Sequence, residues 1–181
     1  NEKIKYYDTS REHLSFSVES SLKNMCVDHI DLLLIHRPDP LMDAEETADT
    51  LDNLVRSGKV RAIGASNFRP WDWSLLQSHM QNKLLTNQIE CSLIRHEPLT
   101  NGDLAFHYKE STPVMAWSPL GGGDLFNSKG QLGKTLSNLA KEHDTEPASV
   151  AISWLLKHPS KIIPVVGTNN LERISRISDA I

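Results

Sequence analysis

The chain is expected to fold as an α/β protein around a parallel sheet, and three features carry that expectation. Helical and strand-like segments alternate along its 181 residues, as helices covering a parallel sheet require. The segment Ile30-Asp31-Leu32-Leu33-Leu34-Ile35 is a nearly continuous apolar run, the pattern of a strand buried on both faces. Five strand-like segments also end in polar or aromatic residues suited to binding: His36-Arg37-Pro38, Gly64-Ala65-Ser66-Asn67, Asn87-Gln88, Trp117-Ser118 and Gly167-Thr168.

Thr9-Ser10-Arg11-Glu12 reads as a capping box, and Leu14, Val18, Leu22 and Met25 recur at helical spacing, so a helix is predicted over 10–25. The apolar strand follows, stopped by Pro38 and Pro40. Ala44, Ala48, Leu51 and Val55 mark the next helix, with Gly58 at its left-handed C-terminal position. A strand over 60–64 precedes a helix opened by Pro70, whose inner face is expected to be Leu75 and Leu76. The third strand is predicted at 84–90, a helix at 99–110, the fourth strand at 113–117 and a helix at 132–143. Pro147 starts a further helix that ends before His158-Pro159. The fifth strand is predicted at 162–166, and Asn169-Asn170-Leu171-Glu172 caps a final helix.

No composition break divides the chain, so one domain over 1–181 is expected. A doubly wound sheet and a β/α barrel both fit the element order. The chemistry separates them. In a doubly wound sheet only strands beside the switch point contribute to a site, whereas all five strand ends here carry binding residues, which favours a parallel β/α (TIM) barrel. A complete barrel takes about 250 residues and eight strands. This chain is therefore expected to be a partial barrel, the later part of a longer polypeptide that also continues beyond Ile181.

Composition narrows the function. With 39% hydrophobic and 23% charged residues and a formal charge of −4, the chain has no basic stripe for nucleic acid. It also has no apolar run of membrane-spanning length. Cys26 and Cys91 stand apart without metal-ligand spacing, and both are expected to be buried small hydrophobes of a reduced, cytoplasmic protein. No HxH or HExxH accompanies His36, so no metal is expected. Neither GxGxxG nor GxxxxGK is present to hold a nucleotide in the usual loops.

His36, beyond an apolar strand, is expected in a dry, fixed setting where its ring nitrogens can meet a carbonyl oxygen. Taken alone, a satisfied structural histidine would be the more common reading. Ser66, Asn67 and Gln88 offer the donors and acceptors that clamp a carboxamide, although Ser66-Asn67 also suits an ordinary turn. Trp117 presents a flat apolar face, and Ser118-Pro119-Leu120-Gly121-Gly122-Gly123 lets backbone approach a bulky anion. Gly167-Thr168-Asn169 opens the last helix, where free N–H groups and Arg173 suit phosphate.

Together these segments resemble the aldo-keto reductases, in the bacterial oxidoreductase branch related to the potassium-channel β subunit. The resemblance runs through 28–40 (Asp28-His29-Ile30 to His36-Arg37-Pro38-Asp39-Pro40), 58–68 (Gly58-Lys59-Val60 to Gly64-Ala65-Ser66-Asn67-Phe68), 87–90 (Asn87-Gln88-Ile89-Glu90), 116–123 (Ala116-Trp117-Ser118-Pro119-Leu120-Gly121-Gly122-Gly123) and 163–168 (Ile163-Pro164-Val165-Val166-Gly167-Thr168). It implies a barrel that binds NADP(H) and transfers hydride to an aldehyde or ketone, a small-molecule carbonyl substrate. It also implies that His36 orients the carbonyl, that Ser66, Asn67 and Gln88 hold the carboxamide, and that Trp117 stacks on the nicotinamide. Ser118, Leu120 and Gly121 would run beside the pyrophosphate, with Thr168, Asn169 and Arg173 at the 2′-phosphate.

Two departures from the family pattern bear on function. Gly167 stands where many members carry lysine, leaving Arg173 as the main charge and NAD(H) as a second cofactor candidate. The family's catalytic tyrosine, lysine and aspartate precede the matched stretch, and neither Tyr6 nor Tyr7 fits the tyrosine motif, so this stretch alone is expected to be inactive. The alternative function on the same fold is a cofactor-binding regulatory or scaffold protein with little or no turnover. Substrate identity and oligomeric state are not readable from these residues.

Overall fold

A computed structural model describes residues 6–127 and 130–177. Its five strands lie in the order β1-β2-β3-β4-β5: β1 Ile30–Ile35, β2 Val60–Ser66, β3 Leu84–Glu90, β4 Val114–Trp117 and β5 Ile163–Pro164. The helices are α1 Arg11–Met25, α2 Ala44–Arg56, α3 Pro70–His79, α4 Asp103–Lys109, α5 Asp124–Asn127, α6 Gln131–Glu142, α7 Pro147–Leu156 and α8 Leu171–Ile177. The sheet is parallel, with Ile35 opposite Ala65 and Ala116 opposite Pro164. Its strand order never reverses, whereas a doubly wound sheet reverses at its switch point. Contacts group the chain into two compact units, Asn1–Asn87 and Gln88–Ile181.

In the first unit, α1 starts one residue later than a capping box at Thr9 would place it. Ser10 is the N-cap, its hydroxyl accepting from the His13 N–H. Thr9 is engaged elsewhere: its N–H and hydroxyl both donate to Asp39, and its carbonyl accepts from Thr47. Leu14 and Val18 are buried as expected, but Met25 is exposed. Cys26 is exposed too, as the left-handed C-cap at φ 54°. It is a terminus residue, not the buried hydrophobe its composition suggested.

α2 begins at Asp43, whose carboxylate accepts from the Glu45 and Glu46 N–H groups, the geometry of a strong N-cap. The helix buries Ala48 and Leu51 completely. It also buries Asp52, which accepts from the backbone N–H groups of Gln81 and Asn82 at 2.7 and 3.0 Å and from the Asn82 side chain at 2.8 Å. A buried carboxylate with three donors is satisfied, and here it anchors the turn that feeds β3. α3 buries Trp73 and Leu76 and leaves Leu75 exposed, so its inner face is rotated from the one expected. β1 is less enclosed than its apolar run implied: only Ile35 is fully buried, and Leu32, Leu33 and Leu34 are partly covered. The strand stands at the end of the order, paired with β2 alone among the described strands.

Gly64 explains the close fit of β2. A Cβ there would lie 2.5 Å from the Thr86 carbonyl oxygen and 2.7 Å from Leu34 Cδ2. Neither backbone oxygen nor packed leucine can yield that distance cheaply.

The second unit holds a core of Ile89, Cys91, Leu104, Val114, Ala116, Leu155 and Ile162. The helix expected over 99–110 is divided. Glu97–Leu99 forms a 3₁₀ turn, and α4 starts only after Gly102, which sits at φ 96° as its N-cap. The fifth strand shrinks to two residues, although the Val165 N–H still donates to the Ala116 carbonyl at 2.9 Å. Pro164 has no N–H to give the ladder, which favours a short strand. Burial pushes the Cys91 thiol up to about 11, with Glu97 adding to the effect, so Cys91 packs as a hydrophobe.

His107 is fully buried on α4. Burial holds its ring down at about 4, outweighing Asp103 and Glu110, which pull upward.

Two outcomes are expected of the intact protein. Gly64→Ala should lower the unfolding free energy by about 1–3 kcal/mol in urea titrations, and an unchanged midpoint would contradict the packing described. For His107 the folded pKa lies below the unfolded one, so the unfolded chain takes up the proton first. Stability should therefore be complete above about pH 6.5 and fall as pH drops toward about 4, by on the order of 3 kcal/mol. His107→Gln should remove that part of the slope.

Candidate functional site

In the first unit the structure brings His36, Ser66 and Asn67 together. His36 follows β1 and Ser66 ends β2, at neighbouring positions because Ile35 pairs with Ala65. The Asn67 side-chain amide donates to the Ser66 hydroxyl at 2.9 Å and to the His36 carbonyl at 3.4 Å. His36 itself is exposed, not in the dry setting expected, because it lies one residue past an incompletely covered strand. Its ring stands edge-on to Tyr7, with centroids 6.2 Å apart.

Asn67 has φ 60°, a left-handed conformation that asparagine tolerates better than most residues. The following residue fixes it in place. Asn87, fully buried on β3, donates to the Phe68 carbonyl at 2.7 Å and accepts from the Phe68 N–H at 3.4 Å. One amide thus brackets one peptide residue and sets the turn from which Ser66 and Asn67 project. Asn87 and Gln88 stand side by side among the polar residues of β3, and Gln88 drew the site assignment instead.

In the second unit, Gln88 lies two residues before the end of β3 and is partly buried. Trp117, Ser118, Leu120, Gly167, Thr168 and Arg173 border one cleft of about 760 Å³. Gly121 and Asn169 do not border it. Gly121 is instead held by packing, since a Cβ there would lie 2.3 Å from Ile94 Cδ1. The segment expected as a plain loop is a 3₁₀ turn over Gly121–Gly123 leading into α5. Ser118 enters it at φ 48°, and Gly122 continues at φ 63°.

Nothing lies within 4 Å of the position a Cβ would take at Gly122, Gly123 or Gly167. These three residues form a bare backbone wall on the cleft, the kind of surface that lets a bulky anion reach main-chain N–H groups.

Arg173, Arg176 and Glu146 also border the cleft. Sequence reasoning found Arg173 and missed the other two. The spacing of Arg173 and Arg176, three residues apart on a helix, would have placed them on one face. Arg176 pairs with Glu146 and with Glu172, and the hydrogen bond and charge of Glu146, then Glu172, hold its pKa above the ordinary value. The α8 N-terminus is less open than expected, because Asn170 Oδ1 accepts from the Arg173 N–H and the Asn170 N–H donates to Thr168 Oγ1. Charge at this end therefore comes from the arginine side chains.

The residues fit a nicotinamide dinucleotide: a flat indole, a stretch of bare backbone and a terminal guanidinium occur along one cleft. Among the described residues no cluster of three or more His, Cys, Asp or Glu could hold a metal ion. No described helix is long and apolar enough to cross a membrane.

Fold and cleft define a parallel β/α protein with a cleft at strand ends. A family model described as the aldo/keto reductase family matches residues 2–181, and the chain belongs to that family. It is 58% identical over 182 residues to a 6-dehydroglucose reductase of Agrobacterium fabrum, covering 99% of this chain and 61% of that protein. It is 43% identical over 180 residues to the oxidoreductase YdhF of Escherichia coli, covering 98% of this chain and 60% of that protein. The crystal structure of the thermostable aldo-keto reductase Tm1743, in complex with the inhibitor epalrestat, superposes with a TM-score of 0.87 at 28% identity, covering 95% of this chain and 61% of that one. The fold is accordingly α/β and matches part of a β/α barrel. The chain spans about three fifths of the length of these relatives.

Replacing Asn87 by alanine should leave the Phe68 N–H and carbonyl without their bracket, at a cost of roughly 2 kcal/mol in unfolding free energy. Equilibrium denaturation of the intact protein measures it, and a loss below a few tenths of a kcal/mol would show that the turn holds itself.

Proposed function

We propose that the protein containing this chain is an NADP(H)-dependent reductase of aldehydes or ketones, able to use NAD(H) less well. The observation that carries this reading is the second-unit cleft, which is bordered by Trp117, the bare backbone at Gly122 and Gly123, and Arg173. Membership of the aldo/keto reductase family supports it, as do relatives named reductase and oxidoreductase.

When bound, the reduced nicotinamide supplies hydride to the carbonyl carbon. The residues of this chain bind and orient. Trp117 offers its face to the nicotinamide ring, and Ser66, Asn67 and Gln88 give the hydroxyl and amide groups that fix a carboxamide. Fixing the ring selects which of its faces meets the substrate, an entropic contribution to rate. His36 donates a ring N–H to the substrate carbonyl oxygen, orienting it and favouring the charge that develops there. Ser118, Leu120 and Gly167 accommodate the pyrophosphate, and Thr168 and Arg173 take the 2′-phosphate, where a guanidinium pairs well with a dianion; Gly121 and Asn169, which do not border the cleft, have no direct contact in this reading. The Agrobacterium fabrum relative makes 6-dehydroglucose the first substrate to test.

The test is loss of NADPH absorbance by the intact protein with 6-dehydroglucose and with 4-nitrobenzaldehyde. Turnover is expected with at least one. Arg173→Gln should raise the KM for NADPH by about 10-fold, the scale of one charge-assisted hydrogen bond, with a smaller change in kcat. Absence of turnover with both carbonyls, or an unchanged KM in the variant, would contradict the reading.

A further inference from the structure

Arg173 and Arg176 border the same cleft but are in different electrostatic states. Arg176 donates to Glu146, just before α7, and to Glu172 one turn back on its own helix. Its backbone carbonyl accepts from the Ser149 hydroxyl at 3.0 Å, so α8 is tied to the start of α7 through this residue. Among the described residues, the Arg173 guanidinium has no carboxylate partner, while its backbone N–H donates to Asn170 Oδ1.

Glu146 also differs from Glu172. It borders the cleft, while Glu172 does not, and the Glu172 side chain is more exposed, at 70% against 44%. Solvent screens Glu172 more effectively.

Resting on the cofactor reading above, we propose that Glu146 is a specificity-determining residue: by pairing with Arg176 it withholds a second guanidinium from the adenosine end of the cleft. It thereby sets how strongly the site favours a nucleotide ending in a 2′-phosphate over one ending in a ribose hydroxyl. The charges make the argument. Arg173, Arg176, Glu146 and Glu172 sum to zero, two positive against two negative. Neutralising Glu146 leaves a net charge of +1 beside the incoming dianion and removes one of the two carboxylates that hold Arg176. A ribose hydroxyl gains little from either change. Because the Glu146–Arg176 pair is half-exposed, it adds little to folding stability, and its consequence lies in the field at the cleft.

The test is fluorescence titration of the intact protein with NADPH and with NADH, at low and high salt, for wild type, Glu146→Gln, Glu172→Gln and the double variant Glu146→Gln/Arg176→Gln. Glu146→Gln should tighten NADPH by on the order of 3- to 10-fold at low salt while NADH stays within about 2-fold, since one screened charge acts on a dianion. The gain should shrink at high salt, be smaller in Glu172→Gln and vanish in the double variant. If Glu146 served only to hold α8, its loss would weaken both nucleotides together and leave their ratio unchanged, which would overturn the proposal. Failure of the wild-type protein to bind either nucleotide would overturn the cofactor reading and this proposal with it. Binding of both with an unchanged ratio in Glu146→Gln overturns this proposal alone.

Discussion

A side chain can be presented beyond the end of a parallel strand only if the backbone there leaves the extended conformation, and the turn must then be held. Asn67 and Ser118 make that departure at φ 60° and φ 48°, directly after β2 and β4. Such conformations cost non-glycine residues on the order of 1 kcal/mol each and persist where the surroundings determine them. After β2 the determining contact is the Asn87 amide, which binds both the N–H and the carbonyl of Phe68. Asn87 is in turn placed by β3, and the turn before β3 is anchored by the buried Asp52 carboxylate. The chain of dependence runs from a buried acid, through a strand, to the hydroxyl and amide of Ser66 and Asn67.

The second unit solves a different problem, that of leaving room. Its cleft is bordered by positions without side chains at Gly122, Gly123 and Gly167, where a Cβ would meet nothing. Space of that kind is not explained by packing, whereas the neighbouring Gly121 is explained by Ile94. Gly122 and Gly123 also sit at φ 63° and φ 100°, conformations that favour glycine, whereas no such backbone constraint applies at Gly167. Charge is distributed with the same economy: among the described residues, Arg173 has no carboxylate partner and Arg176 is held by two.

Much of this was legible in the sequence because the physics was local. Strands β1 and β3 fell where predicted, β1 because an apolar run bounded by turn residues leaves few alternatives. Pro70 and Pro147 opened their helices because proline suits a first turn. What the sequence concealed was tertiary. Thr9 could not cap α1 because Asp39 had claimed it. Gly102 divided a plausible helix because it sits at φ 96°. His36 proved exposed because β1 has one neighbouring strand among those described. The candidate strand-end residues were singled out by type and position. The bracket formed by Asn87 and the pairing of Glu146 with Arg176 were not legible, because they join residues 19 and 30 apart in sequence.

The central claim is that the cleft beside β4 and β5 holds a nicotinamide dinucleotide by its bare backbone and by Arg173. The most direct measurement is a crystal structure of the intact protein with NADP⁺. The account requires the pyrophosphate against Gly122 and Gly123 and the 2′-phosphate within hydrogen-bonding reach of Arg173. A dinucleotide bound away from this cleft, with Arg173 turned to solvent, would contradict it.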